Sequence, residues 1–221
     1  ERKGRPDLVE IVRRVSELIR VCYVRQKEPL GLGHAVLAAR HLVGDEPFAV
    51  LLGDDILTDE TPALRQMIRI HEAHRCAVML VQRVPKSEVS RYGVIKGRKI
   101  DDGLYHIMDM VEKPDPDKAP SDLALIGRYI LTPDLFPLLE GTASDRSGEI
   151  QLTNALKALL KRKKTMIYAL EFPGRWHDAG TVLGFLKTTV ELALQRPDVA
   201  PGFQAFLWGL RLDPAPAAER A

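Results

Sequence analysis

The sequence predicts an α/β protein with a Rossmann-like, mixed and mostly parallel sheet flanked by helices. Two observations carry that expectation. Helix-period apolar patterns alternate with short, continuously apolar runs, the mark of strands buried on both faces. A hairpin-rich stretch then interrupts the alternation in the middle of the chain. The 221 residues are 45% hydrophobic and 28% charged, enough apolar material for the core of one large domain.

In chain order, Asp7 is placed to cap a helix in which Leu8, Ile11, Val12, Val15, Leu18 and Ile19 recur at steps of three and four. Residues 21–25 read as a strand. Residues 26–33 hold one Pro and two Gly and read as a loop. Residues 34–41 look helical. The apolar run 48–52 reads as a strand buried on both faces, ending at Gly53-Asp54-Asp55. Thr61-Pro62 starts a helix to about His74, with Leu64, Met67, Ile68 and His71 on one side. Residues 77–81 repeat the buried-strand pattern, and 93–111 form a hairpin turning at Asp101-Asp102-Gly103.

Residues 123–131 read as a strand and 152–160 as an amphipathic helix. The basic run 161–164 suits the C-terminus of that helix better than it suits nucleic acid. Residues 166–172 form a further strand, and 181–195 a helix stopped by Pro197. Residues 1–212 read as one domain, and the Pro/Ala-rich 213–221 as a disordered tail.

Composition narrows the function classes. A net charge of +2 gives no whole-protein reason to expect nucleic acid or an anionic membrane as partner. No apolar run approaches the roughly 20 residues of a membrane helix. Two cysteines, Cys22 and Cys76, are too few for a disulfide scaffold or a zinc site. No nucleophile signature such as Gly-x-Ser-x-Gly occurs, and the six histidines have no metal-ligand spacing.

Open sheets bind ligands beyond the carboxyl ends of their strands, so candidates are sought there. Asp54 and Asp55 follow an apolar run directly, and Asp178 lies between a strand and a helix. Each fits an ordinary turn. Together they fit a hard cation such as Mg²⁺, which needs one or two carboxylates plus phosphate oxygens. Gly31 and Gly33 open a helix after a strand, either as a tight turn or to let backbone approach a ligand. Val36 stands where a dinucleotide fingerprint needs Gly, so that motif fails. Glu112-Lys113 is either a solvated pair or a carboxylate for sugar hydroxyls beside an ammonium for phosphate. Gly93 offers another close backbone approach or a simple strand start. These residues read as a binder of a phosphorylated, metal-bound ligand.

Taken together and in order, these segments resemble the bacterial UTP–glucose-1-phosphate uridylyltransferases, within the nucleotidyltransferases that act on sugar phosphates. The matching stretches are Val24-Arg25-Gln26 with Gly31-Leu32-Gly33-His34-Ala35, then residues 51–55 and Tyr92-Gly93-Val94. They continue through Val111-Glu112-Lys113-Pro114, residues 125–129, residues 148–153 and His177-Asp178-Ala179-Gly180. The pattern at Gln26 and residues 31–34 favours uridine over thymidine relatives.

The resemblance implies the nucleotidyltransferase fold and a cytoplasmic, homo-oligomeric enzyme. It implies UTP and glucose-1-phosphate as substrates, UDP-glucose and pyrophosphate as products, and Mg²⁺ as cofactor. Gln26 would meet the uracil edge, with Gly31 and Gly33 against base and ribose. Asp54 and Asp178 would hold the metal. Gly93, Glu112 and Gly127 would meet the sugar, and Lys113 the phosphate. Lys113, Asp54 and Asp178 would be the catalytic residues. Glu149 matches the family pattern with no ligand contact assigned.

The sequence lacks the family's opening G-x-G-T-R-x-x-P loop and the Lys after it, along with the first strand and helix of the nucleotide-binding half. It also lacks a starting Met. It therefore reads either as a fragment of a full enzyme, which the missing Met favours, or as a natural truncation without activity, and it is expected to turn over very poorly alone. Robust UDP-glucose synthesis by the purified chain would overturn that. The competing readings are a non-catalytic sugar-nucleotide-binding or regulatory homologue, and a glycosyltransferase using Asp54-Asp55 as its metal motif.

Overall fold

A computed structural model describes residues 6–162 and 165–210. The chain opens with helices α1 (Pro6–Glu17), α2 (Leu32–Ala38) and the short α3 (Arg40–Val43), then strands β1 (Phe48–Leu51) and β2 (Asp55–Thr58). Helix α4 (Ala63–His74) leads to β3 (Ala77–Arg83), the hairpin β4 (Gly93–Asp101) and β5 (Leu104–Glu112), and β6 (Leu123–Leu131). Helices α5 (Phe136–Glu140) and α6 (Leu152–Leu160) precede β7 (Ile167–Glu171) and β8 (Arg175–Asp178), and helices α7 (Val182–Leu194) and α8 (Ala200–Gly209) follow. The expected tail at 213–221, the side chain of Asp7 and the end of the 161–164 run lie outside the described residues.

Six strands form one sheet in the order β1-β6-β3-β7-β5-β4, and β2 pairs with β8 in a separate two-stranded ribbon. The sheet is mixed, but it is mostly antiparallel where mostly parallel was expected. Among the described residues, only β3 and β7 pair in parallel. Strands β1, β3 and β7 do run the same way, as helix-linked strands should. Antiparallel β6 inserts between β1 and β3 and pairs with both, and the β4–β5 hairpin adds antiparallel partners beside β7. Apolar runs report burial on both faces, not strand direction.

The core has two sides because β3 alternates. Met79 and Val81 face the side covered by α2, α5 and α6, where Phe136, Leu139, Leu152 and Leu156 pack. Val78 and Leu80 face α4, where Ala63 and Met67 pack with Ile126, Ile130 and Tyr168. A period of two along one strand thus feeds two helix layers. Met67, Met79, Leu80, Ile95, Ile107 and Phe136 are fully enclosed. Each such side chain contributes about 1.5–3 kcal/mol of burial free energy. The hairpin turns at Asp102-Gly103, with Gly103 at φ 65°, the left-handed conformation such a turn requires.

Three expectations change at the N-terminal side. Residues 21–25 pair with no strand among the described residues, and a lone extended segment has no ladder to satisfy its backbone. Strand β1 is not buried on both faces: it is the edge of the sheet, with Ala49 and Leu51 exposed. Helix α1 forms but ends at Glu17, before Leu18 and Ile19 of the expected stripe, and those two are exposed along with Ile11 and Val12. Among the described residues no helix is long and apolar enough to cross a membrane.

Cys22 is exposed and Cys76 is buried beneath α4. Burial pushes the Cys76 thiol up to about 11, only partly offset by a backbone hydrogen bond at Tyr168. At pH 8 that leaves almost no Cys76 thiolate, and the thiolate is the reactive form. Mass spectrometry after brief iodoacetamide treatment of the native chain should therefore find one label, on Cys22, and a second only after unfolding.

Candidate active site

A cleft of about 570 Å³ opens beyond the ends of β1, β5 and β8. Asp54, Gly93, Glu112, Lys113, Gly127 and Asp178 all line it. Gln26, Gly31 and Gly33 do not. They lie beside it, in a turn whose Leu32 reaches the cleft wall.

The acidic side is assembled by the β2–β8 ribbon, which sets Asp55 opposite Asp178. The amide of Ala179 then donates to the Asp54 carbonyl at 2.8 Å. A Cβ placed on Gly180 would lie 3.0 Å from a carboxylate oxygen of Asp54 and 3.1 Å from one of Asp178. The two carboxylates therefore flank one small space. The neighbouring aspartates differ sharply. Asp54 is exposed, while Asp55 is half-buried and takes the Trp176 indole N–H. Burial holds the Asp55 carboxyl above its ordinary range. The Trp176 bond opposes that, and the Asp54 and Asp178 charges add to it.

Arg128 holds the turn that carries both aspartates. Its guanidinium donates to the carbonyls of Leu52 at 2.9 Å, Gly127 at 2.8 Å and Asp55 at 2.6 Å. Beside it, a Cβ on Gly127 would fall 2.1 Å from an Asp55 carboxylate oxygen and 2.8 Å from the Leu52 Cβ. Gly127 thus lines the cleft because the aspartate turn packs directly on its backbone.

Asp178 is held on both oxygens. Oδ2 accepts from the Arg91 guanidinium at 2.6 Å and the Tyr92 hydroxyl at 2.7 Å, and Oδ1 accepts from the Gly180 amide at 2.9 Å. The Tyr92 phenol is raised well above its ordinary range by burial and by Asp178, so it remains a donor. Sequence reading noted Tyr92 only as the neighbour of Gly93, and it missed Arg91. Their hydrogen bonds span 86 and 87 positions, beyond any local pattern.

Across the cleft, Oε2 of Glu112 accepts from the Thr153 hydroxyl at 2.7 Å. A Cβ on Gly93 would lie 3.1 Å from that same oxygen and 3.2 Å from the Thr153 hydroxyl, so glycine lets the pair close over the backbone. Lys113 has φ 44°, a left-handed conformation costing about 1–2 kcal/mol for a non-glycine residue. Its amide donates to the Tyr92 carbonyl at 3.0 Å, and its ammonium lies 3.9 Å from Glu112. Thr153, also missed as a functional candidate, lies in the 148–153 stretch already singled out.

The Gly31–Gly33 turn zips against residues 149–150. Gly33 N–H donates to the Ile150 carbonyl and Ile150 N–H to the Leu30 carbonyl, both at 2.8 Å. A Cβ on Gly31, whose φ is 89°, would fall 2.8 Å from the Glu149 Cβ, and one on Gly33 would fall 2.6 Å from the Ile150 carbonyl. Gln26 donates to the Gly31 carbonyl at 3.2 Å and pairs with His34 Nδ1 at 2.8 Å. Its amide nitrogen is thus engaged, and its carbonyl oxygen takes no hydrogen bond among the described residues.

Asp145 anchors the loop that leads into this segment. It accepts from the Ser147 hydroxyl and amide, the Gln151 side chain and the Glu149 amide, which hold its carboxyl well below the ordinary range. A depressed carboxylate stabilises the fold above its unfolded-state pKa and loses that contribution as pH falls through the folded value.

The chemistry of this donor set fits a divalent cation. A carboxylate offers about four lone-pair positions. Asp178 uses three, and the Asp54 carboxylate takes no hydrogen bond among the described residues. Two carboxylates together with ligand phosphate oxygens suit a hard ion. No group of three or more metal-ligating side chains occurs among the described residues, so such an ion would share its shell with ligand and water.

The mixed α/β layers thus hold a carboxylate pair on one side of a cleft and a Glu–Lys pair on the other. A family model described as "Nucleotidyl transferase" matches residues 3–195, and the chain belongs to that family. Such transferases generally use a divalent metal. Its particular place is among the UTP–glucose-1-phosphate uridylyltransferases, as its relatives indicate. The enzyme of that name from Bacillus subtilis strain 168 is 44% identical over 95% of this chain and 71% of its own length. One from Staphylococcus epidermidis is 44% identical over 94% of this chain and 71% of its own length. The structure of a UDP-glucose pyrophosphorylase complexed with UDP-glucose superposes with a TM-score of 0.82 at 42% identity, covering 87% of this chain and 73% of that one. UTP-bound UGPase from Acinetobacter baumannii gives a TM-score of 0.84 at 34% identity over 95% of this chain and 73% of that one.

Two outcomes test this geometry. Gly127→Ala should destabilise the chain by about 1–3 kcal/mol through overpacking against Asp55 and Leu52, read as a lower thermal midpoint. Asp145→Ala should speed hydrogen exchange at the Ile150 and Gly33 amides while leaving the β3 and β6 amides protected.

Proposed function

We propose that this cleft serves uridylyl transfer, in which UTP and glucose-1-phosphate give UDP-glucose and pyrophosphate. The observation that carries the proposal is the placement of Asp54, Asp178, Glu112 and Lys113 on one cleft. A phosphate oxygen of glucose-1-phosphate attacks the α-phosphorus of UTP. The bond to the β-phosphate oxygen breaks, and pyrophosphate leaves with its electron pair. The attacking oxygen is already anionic, so no general base is needed.

Each residue then has a role. Glu112, oriented by Thr153, accepts hydrogen bonds from the sugar hydroxyls, and Gly93 and Gly127 meet the sugar from the cleft wall they line. Lys113 meets the phosphate and offsets its charge, which matters most where charge concentrates in the transition state. The free carbonyl of Gln26 takes the uracil imide N–H, with Gly31 and Gly33 bringing the turn against base and ribose. Asp54 and Asp178 would hold Mg²⁺, which when bound neutralises phosphate charge and orients the oxygens. The same proposal places the reaction in the cytoplasm, in a homo-oligomer, with residues 1–212 of this chain belonging to one domain.

Calorimetric titration tests the proposal. UDP-glucose should bind the chain in the presence of Mg²⁺. Glu112→Gln should weaken UDP-glucose roughly tenfold, the worth of one charge-assisted hydrogen bond of about 1.5 kcal/mol, and leave UDP affinity unchanged. No UDP-glucose binding by the folded chain, or equal loss for UDP and UDP-glucose in the variant, would overturn it. Among products, pyrophosphate marks this reaction, whereas free UDP would mark a glycosyltransferase.

A further inference from the structure

Asp178 is served by two adjacent residues of different chemistry, Arg91 and Tyr92, and nothing in the uridylyl-transfer reading uses either. Both end on the same oxygen, Oδ2. They reach it from the segment that joins β3 to β4, whereas Asp178 ends β8.

Tyr92 is half-buried. Its ring meets Trp176 edge-on at 5.2 Å, and the Arg91 guanidinium lies over its ring at 5.1 Å. Trp176 is itself fixed by its bond to Asp55. A tyrosine ring has only two side-chain torsions, and packing settles both here, so its hydroxyl is a fixed donor aimed at Asp178. Arg91 differs. Its side chain is 42% exposed, and it also contacts Glu88 at 3.5 Å. Orientation of Asp178 does not depend on it, because the Tyr92 hydroxyl and the Gly180 amide remain. What Arg91 adds is a full positive charge 2.6 Å from Oδ2. That charge favours the carboxylate when no cation is near and opposes a cation that arrives.

We infer that Tyr92 and Arg91 are positioning residues that set the divalent-cation affinity of the Asp54–Asp178 pair in opposite directions. Tyr92 raises it by orienting Asp178, and Arg91 lowers it by offsetting the Asp178 charge. This rests on the assignment of Asp54 and Asp178 as the metal-holding pair. Outer partners of metal ligands commonly change affinity by 10–100-fold when removed. The half-exposed position of Arg91 screens its effect, so a smaller change of opposite sign is expected there.

The test uses Mn²⁺ as the probe, with the 221-residue chain held saturated by UDP-glucose, and electron paramagnetic resonance to count free and bound ion. Tyr92→Phe keeps the ring and its packing on Trp176 and should weaken Mn²⁺ on the order of tenfold. Arg91→Gln should tighten Mn²⁺ severalfold. UDP-glucose affinity without metal, measured separately, should stay within about twofold in both variants.

The inference is overturned if the two variants shift Mn²⁺ affinity the same way, if neither shifts it, or if metal-free UDP-glucose affinity falls alongside. A different result strikes the underlying assignment instead: wild-type chain that binds UDP-glucose but no Mn²⁺, or Asp178→Asn chain that binds Mn²⁺ as wild type does. Partial recovery of Mn²⁺ binding in a Tyr92→Phe chain that also carries Arg91→Gln would support opposed, independent contributions.

Discussion

The cleft depends on one small piece of pairing. Strands β2 and β8 are four residues each and form a sheet of their own, yet their register is what sets Asp55 against Asp178 and so brings Asp54 beside it. Two short strands carry little stability alone. They are held from outside: Arg128 ties the turn before β2 to β6, Trp176 packs on the α4 side of the main core, and the Ala179 amide closes onto Asp54. The central sheet thus fixes the ribbon, and the ribbon fixes the carboxylates.

The opposite wall is built on another principle. Glu112 and Thr153 come from the end of β5 and the start of α6, and they meet over the bare backbone of Gly93. The segment just before Thr153 hydrogen-bonds the Gly31–Gly33 turn. Residues 149–153 therefore touch the proposed base-binding turn at one end and the proposed sugar carboxylate at the other. The candidate-site glycines at positions 31, 33, 93 and 127 each sit where a Cβ would meet an atom at 3.1 Å or less. In each case the close packing of this chain on itself suffices to explain the residue, whether or not a ligand also approaches there.

Much of this was legible in the sequence, for physical reasons. Central strands such as β3 and β6 are buried on both faces and so read as unbroken apolar runs. The Asp102-Gly103 turn and the amphipathic α6 follow from turn chemistry and helical period. Strand direction was not legible, because insertion of β6 between β1 and β3 is a long-range choice. Residues 21–25 have strand composition, but composition does not supply a neighbour to pair with. At the site, strand-end carboxylates and the Glu-Lys pair could be nominated from type and position. Their convergence, and the service of Asp178 by Arg91 and Tyr92, depends on contacts between distant segments that no spacing rule reaches.

The central claim is that Asp54 and Asp178, far apart in sequence, hold one divalent cation beside a sugar nucleotide held by Glu112 and Lys113. Crystals of the chain grown with UDP-glucose and Mn²⁺, with data collected at the manganese absorption edge, test it most directly. The account predicts one anomalous peak within bonding distance of both carboxylates and of a phosphate oxygen. A bound UDP-glucose with no such peak, or with the peak held by other side chains, would contradict it.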